Sequence, residues 1–282
     1  MRTCGDPSTA SGTATGGQTT KCRRTRALRW PTTPIRWSRS PAVVRPRTGA
    51  SNPTSLPRTH GSCRRSRRCS APTATGWKPF PGSSKYFYMG GTSMATPLTA
   101  GALALLRQHL RRDHGVATPS GALLKAVVIA GARRLPGTAP TATVADNHQG
   151  FGCVDVAAVV APPAPSTLLV RQGKKVSTGQ LHTLKIEVTS ATVSLRLVLA
   201  YSDFPGETLV NNLNLVVRGP DGAPRAGNSG QSAGLTMDST NNVEVVEVSA
   251  PAVGTWRIDV IGSNVPQGPQ PYALAVLGAA AG

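Results

Sequence analysis

Residues 85–97 read KYFYMGGTSMATP and run directly into LTAGALALLRQHLRR, residues 98–112. Gly90 and Gly91 carry no side chains, so they permit tight backbone geometry and close approach of a ligand. Ser93 follows at once. Pro97 is predicted near the start of a helix, where its missing N–H costs little. Beyond it Leu98, Ala102, Leu105 and Leu106 recur at helical spacing as an apolar stripe. Arg107, Arg111 and Arg112 gather at the far end, which suits the negative end of the helix dipole, and Gly115 offers a stop. A serine so placed faces unpaired N–H groups that favour developing negative charge, a useful position for a nucleophile attacking a carbonyl. The plainer role for Ser93 is that of an N-cap.

Working outward, TPSGALLKAVVIAGA (118–132) predicts a second helix, with Thr118 as N-cap and Pro119 at the first helical position. HQGFGCVD (148–155) then reads as a glycine turn. The octet GGTSMATP resembles the signature around the nucleophile of the subtilisin-like (subtilase) serine proteases, and HQGFGCVD resembles that family's closing turn. The resemblance implies that residues 76–160 are the C-terminal part of an α/β catalytic domain. It implies Ser93 as the catalytic residue, set among the motif residues Gly90, Gly91, Thr92, Met94, Ala95, Thr96 and Pro97.

In the family the triad runs Asp, His, Ser along the chain. Upstream of Ser93 the only acid is Asp6 and the only histidine His60, neither in a family-like motif. His109, His114, His148 and His182 come in the wrong order, and His109 and His114 read as solvated helix-end residues. The family's upstream oxyanion asparagine has no counterpart. A serine hydroxyl is a poor nucleophile without a base to take its proton. In subtilisin, loss of the serine or histidine costs on the order of 10⁶ in turnover. The expectation is a serine endopeptidase by family, acting on a polypeptide, in a chain without useful activity by itself.

Residues 161–166, APPAPS, read as a linker. After them helical periodicity gives way to short β-rich runs: TLLV (167–170), TLKIEVT (183–189), VSLRLVLAY (193–201), LVNNLNLVVRG (209–219), NVEVVEVSA (242–250), TWRIDVIG (255–262) and PYALAVLG (271–278). Leu184, Ile186 and Val188 alternate with Lys185 and Glu187, and Leu213, Leu215 and Val217 form a second inward set. About seven antiparallel strands in residues 167–282 predict an all-β sandwich, jelly-roll-like. YSDFP (201–205), TLVNNLNLVV (208–217) and NNVEVVEVSAPAVGTWRIDVIG (241–262) resemble the C-terminal β-domain of the oxidatively stable alkaline protease branch. Where that branch often has Asn-Asp-Leu-Asp, this chain has Asn211-Asn212-Leu213-Asn214. Carboxylates are the stronger calcium ligands, so no metal or other cofactor is assigned there, and calcium elsewhere is left open.

The 282 residues carry 31 Lys and Arg against 12 Asp and Glu, a formal charge of +19. Fifteen of the basic residues and only Asp6 of the acids lie in residues 1–75. That stretch, rich in Arg, Ser, Thr and Pro without a period of 2 or 3.6, is predicted to be disordered. Its arginines are scattered and no nucleic-acid module accompanies them, so a phosphate-binding arm is the lesser reading and no nucleic-acid partner is expected. Read one base out of register, codons for Arg36 to Arg65 permit VVAFSSRGPTADGRVKPDLVAPDTWVLST, a peptide similar to what subtilases carry shortly before the serine. On that reading residues 1 to about 70 come from a misplaced frame and the subtilase part is N-terminally incomplete. Cys4, Cys22, Cys63, Cys69 and Cys153 show no paired metal spacing and no disulfide framework.

No apolar run is long enough for a membrane span, and no membrane partner is expected. The first residues lack a signal-peptide core, although the family resemblance implies secretion. The competing function is a non-catalytic module that binds through its β-domain. The truncated catalytic part, with an exposed sheet edge, is expected not to pack, leaving a protease-resistant core near 165–282.

Overall fold

Alternating apolar residues become two antiparallel sheets in the computed structural model, which describes residues 62–65, 86–89, 91–135, 145, 149–229 and 236–281. The described chain is mostly β-sheet with few helices. Its elements are β1 (Ser62–Arg65), β2 (Tyr86–Met89), α1 (Thr92–Asp113), α2 (Gly121–Ala130) and α3 (Ala157–Val160), followed by nine strands. These are β3 (Thr167–Val176), β4 (Leu181–Val188), β5 (Leu195–Tyr201), β6 (Asn212–Arg218), β7 (Pro224–Ala226), β8 (Val243–Val248), β9 (Gly254–Asn264), β10 (Gln270–Gly278) and β11 (Ala280–Ala281). β1 pairs antiparallel with β2, Ser62 opposite Met89, so four residues of the stretch predicted to be disordered are a strand. The rest of residues 1–75, with Asp6, His60 and the out-of-frame reading, lies outside the described residues.

One sheet has the order β3-β10-β5-β8, the other β11-β4-β9-β6-β7, with every pairing antiparallel. Period 2 decides which side chains face between them. Leu195, Leu197, Leu199 and Tyr201 of β5 and Leu274 and Val276 of β10 meet Ile186, Leu213, Leu215, Val217, Trp256 and Ile258 of the other sheet in one buried cluster. The Tyr201 hydroxyl, buried with them, donates to the Asn211 carbonyl at 2.9 Å. The asparagines of the NNLN run serve loops and strand ends. Asn211 Nδ2 donates to Gln267 O (2.7 Å) and Gln270 Oε1 (2.6 Å), and Asn214 Nδ2 donates to Ser263 Oγ (2.7 Å).

The other face of the first sheet is apolar as well. Val198, Ala200, Val243, Val245, Ala273 and Ala275 pack with Leu123, Ala126, Val127, Ala130, Leu106, Leu110, Phe151 and Val159 of the helical part. Large side chains point between the sheets and small ones outward, so α2 can lie close on Ala200, Ala273 and Ala275. The expectation that residues 76–160 would not pack is therefore corrected over their described helices: from Leu106 to Val159 they share a core with the sheet, across the proline-rich stretch 161–166. The run VSLRLVLAY carried the signal, since β5 is buried on both faces along its whole length.

Candidate active site

Gly91 opens α1. Its φ of 139° lies where L side chains are strained, although a Cβ there would meet nothing within 4 Å. The backbone, not crowding, requires glycine. As N-cap it supplies no side-chain acceptor. Its carbonyl accepts from the N–H groups of Met94 (3.0 Å) and Ala95 (3.1 Å), and those of Thr92 and Ser93 are left without an intrahelical acceptor. Ser93 is thus the second residue of the helix and exposed, not its N-cap. Among the described residues nothing hydrogen-bonds its hydroxyl.

The helix begins earlier than predicted, which places Pro97 in its second turn. Pro97 has no N–H for the Ser93 carbonyl. Nearby, Thr96 Oγ1 donates to the Thr92 carbonyl (3.0 Å) and Thr99 Oγ1 to that of Ala95 (3.2 Å). Of the motif, Met94 and Ala95 are buried, Thr92, Thr96 and Pro97 exposed, and Gly90 lies outside the described residues.

The buried face of α1 also differs from the predicted stripe. Leu106 and Leu110 are fully buried, whereas Leu98 and Leu105 are 46% and 58% exposed. α2 lies on one side of α1 and takes up Leu106 and Leu110, which leaves Leu98 and Leu105 facing away. The cap of α2 is Ser120, two residues after the predicted Thr118. Its extended backbone (φ −73°, ψ 159°) lets its Oγ accept from the Leu123 N–H at 3.1 Å.

The glycine turn docks on the end of α2. Arg133 and Cys153 exchange backbone hydrogen bonds of 2.9 and 2.7 Å. The buried Gln149 accepts from the Leu135 N–H at 2.8 Å. Gly152 has φ 117°, and a Cβ there would come 2.5 Å from the Arg133 carbonyl oxygen. His148 lies outside the described residues.

The remaining histidines do not reach Ser93 along the chain. His109 follows it by sixteen residues of one helix, about 24 Å at 1.5 Å per residue. His182 on β4 sits 3.1 Å from the Tyr272 hydroxyl through Nδ1. His109 and His114, predicted to be merely solvated, instead form a cluster that the sequence reading missed. His109 Nδ1 lies 2.6 Å from Asp113 Oδ2, and His109 Nε2 lies 3.2 Å from His114 Nε2. The spacing His-x₃-Asp-His was the available signal, since residues four apart share a helix face. The guanidinium of Arg112, bonded to both Asp113 oxygens at 2.7 and 2.9 Å, holds that carboxyl down at about 2. Burial, then the neighbouring His109, pushes the His114 imidazole below its ordinary value. Among the described residues no group of three or more His, Cys, Asp or Glu is placed to hold a metal ion.

The model of the subtilase family matches residues 3–152, more than half of the chain. The match reaches upstream of residue 76, the start that the sequence resemblance implies. Two proteins of Dictyostelium discoideum, the serine protease/ABC transporter B family proteins tagB and tagD, are each 26% identical over 261 and 268 residues. In both cases 70% of this chain is covered, and the chain spans only 14% of the relative's length. Likeness to solved structures is slight. A Bacillus licheniformis lipase in its propeptide form gives a TM-score of 0.25 at 15% identity, over 40% of this chain and 22% of that one. The Aeromonas hydrophila periplasmic inhibitor of g-type lysozyme gives 0.22 at 16%, over 41% and 88%.

Proposed function

The chain belongs to the subtilase family of serine peptidases, and on that premise we propose that Ser93 is the nucleophile of an endopeptidase that cleaves polypeptides through an acyl-enzyme. The observation that carries this is the start of α1. An exposed hydroxyl stands on the first turn of a 22-residue helix that has no acidic residue in that turn and no side-chain cap. Attack by Ser93 Oγ on a carbonyl carbon puts negative charge on the carbonyl oxygen. The Ser93 N–H is free to donate to it, and the helix dipole favours it.

Turnover also needs a base to take the serine proton and a carboxylate to orient that base. The described residues offer Ser93 no such partner, and upstream of it the sequence has only Asp6 and His60, neither in a family-like motif; we therefore read the chain by itself as inactive. The exposed Leu98 and Leu105 support the same view, since they are an apolar flank of α1 for further catalytic-domain structure to cover. The β-domain is read as a jelly roll. The orders β3-β10-β5-β8 and β4-β9-β6-β7 support this, being those that two interleaved Greek keys produce.

A fluorophosphonate probe tests the assignment. The purified chain is expected to stay unlabelled. The same chain joined to an upstream subtilase segment that carries the family's Asp and His motifs is expected to be labelled at Ser93, and Ser93→Ala to abolish the label. Labelling of the chain alone would overturn the inactivity. A joined protein that folds, shows no label and cleaves no peptide would overturn Ser93 as nucleophile and leave the non-catalytic module.

A further inference from the structure

We propose that His109 and His114, at the C-terminal end of α1, bind a divalent cation of the Zn²⁺ type, with Asp113 as the residue that positions the first imidazole. The two Nε2 atoms stand 3.2 Å apart. Two nitrogens bound to one tetrahedral Zn²⁺ at 2.0–2.1 Å are separated by about 3.3 Å, so the pair already has the spacing of two ligands of one ion. The rings are close to perpendicular, at 76° with centroids 4.9 Å apart, which brings them together at their Nε2 edges.

The hydrogen bonding sets the chemistry of His109. Its Nδ1 donates to the Asp113 carboxylate at 2.6 Å, which leaves Nε2 as the ring nitrogen available to a ligand, 3.2 Å from its counterpart on His114. A carboxylate behind a histidine is the arrangement that fixes tautomer and ring orientation at zinc sites and raises ligand basicity. Asp113 is itself held by two guanidinium nitrogens of Arg112, Nε and Nη2. The His109 side chain is 11% exposed and that of Asp113 35%, so the ring is fixed while the site stays open to solvent. The last carbonyls of a 22-residue helix also favour a cation there. Arg112 opposes it, although its charge is already matched by Asp113. Two protein nitrogens leave the remaining coordination positions to water, an open site rather than a closed structural one. The alternative occupant of the gap is a proton shared between the two rings.

The test is calorimetric titration of Zn²⁺ into the full chain, with Cys4, Cys22, Cys63 and Cys69 replaced by Ser to remove thiolate ligands and the buried Cys153 kept. One saturable equivalent is expected. His109→Ala and His114→Ala are each expected to abolish it. Asp113→Asn keeps both imidazoles and is expected to weaken binding about 10–100-fold, and Asp113→Glu to recover part of that loss. Absence of saturable binding would overturn the site in favour of the shared proton. Equal binding by parent and both histidine variants would overturn it in favour of ligands elsewhere. If circular dichroism shows that His109→Ala unfolds α1, His114→Ala decides alone, because His114 lies past the last helical residue.

Discussion

Arg196 is the side chain whose loss most directly tests how the helical part is fastened to the β-domain. It projects from β5 towards α2 and is 8% exposed. Nη1 donates to the carbonyl of Ile129 (3.2 Å), which also accepts from the Ala132 N–H, and to that of Ala132 just past the end of α2, and Nη2 donates to Glu247 Oε2 at 2.8 Å. Glu247 stands directly opposite on β8. Arg196→Met keeps most of the apolar stem and removes all three bonds. Breaking a buried ion pair from one side costs about 3–5 kcal/mol. The Glu247 side chain is 28% exposed and recovers some hydration, and the Ile129 carbonyl keeps the Ala132 N–H, so the lower end, about 3 kcal/mol, is the expected loss. In a domain of this size that is roughly 6–12 °C in Tm. Urea denaturation followed by circular dichroism measures it, and limited proteolysis reads out the mechanism. The parent is expected to keep a resistant core that begins ahead of Ala122, not at residue 165. In Arg196→Met cleavage should move into residues 131–166 while the β-domain survives. Arg196→Met/Glu247→Gln should recover part of the loss, because the stranded carboxylate is gone. A loss below about 1 kcal/mol, or an unchanged cleavage pattern, would refute the claim that this arginine ties α2 to the sheet.

Two buried groups make stability depend on pH in opposite directions. Burial lowers the Lys125 ammonium from 10.5 to about 8, so between those values the unfolded chain binds more protons and stability rises with pH. Lys125→Met is expected to stabilise the protein at pH 7 by on the order of 2 kcal/mol and to flatten the rise between pH 8 and 10.5. That figure is reduced from the full linkage value because the substitution also removes the 3.3 Å bond from Nζ to Asn242; a destabilised variant would contradict the burial penalty. Burial raises the Glu244 carboxyl well above 4.5, so its contribution is fully present below pH 4.5 and is lost as pH climbs through the raised value. One of its oxygens accepts from the Leu215 N–H, and the other has no hydrogen-bond partner among the described residues. Glu244→Gln should therefore raise Tm at pH 8 and leave it unchanged near pH 4, as a scan of Tm against pH would show; equal shifts at both values would exclude the carboxyl as the source.

What was legible in the sequence was local or periodic. Glycines before a serine and an apolar run mark a helix start because backbone strain and orphan N–H groups are properties of a few adjacent residues. Short β-rich runs located β3, β4, β5, β6, β8, β9 and β10, and alternation gave the inward sets of β4 and β6, because strand side chains alternate with period 2 whatever the partner. The octet 90–97 points to the family without help from the tertiary structure. The errors were also local. A Ser and a Thr two residues apart compete for the cap of α2, and only the extended backbone at Ser120 settles it. An apolar helix face can be read from 3.6 periodicity, but which leucines face a neighbour depends on where that neighbour lies, and α2 takes Leu106 and Leu110 and leaves Leu105 outside.

The sequence by itself therefore determined that a helix starts around Ser93, most of the strands and the family, since each is written within a few residues or a fixed period. Tertiary structure decided that α2 covers the outer sheet face, that Arg196 reaches the end of a helix 64 residues earlier, and that His109 and His114 turn their Nε2 atoms together. Contacts between residues far apart along the chain, or between side chains that could as well face water, depend on how the elements pack, and no local pattern encodes that.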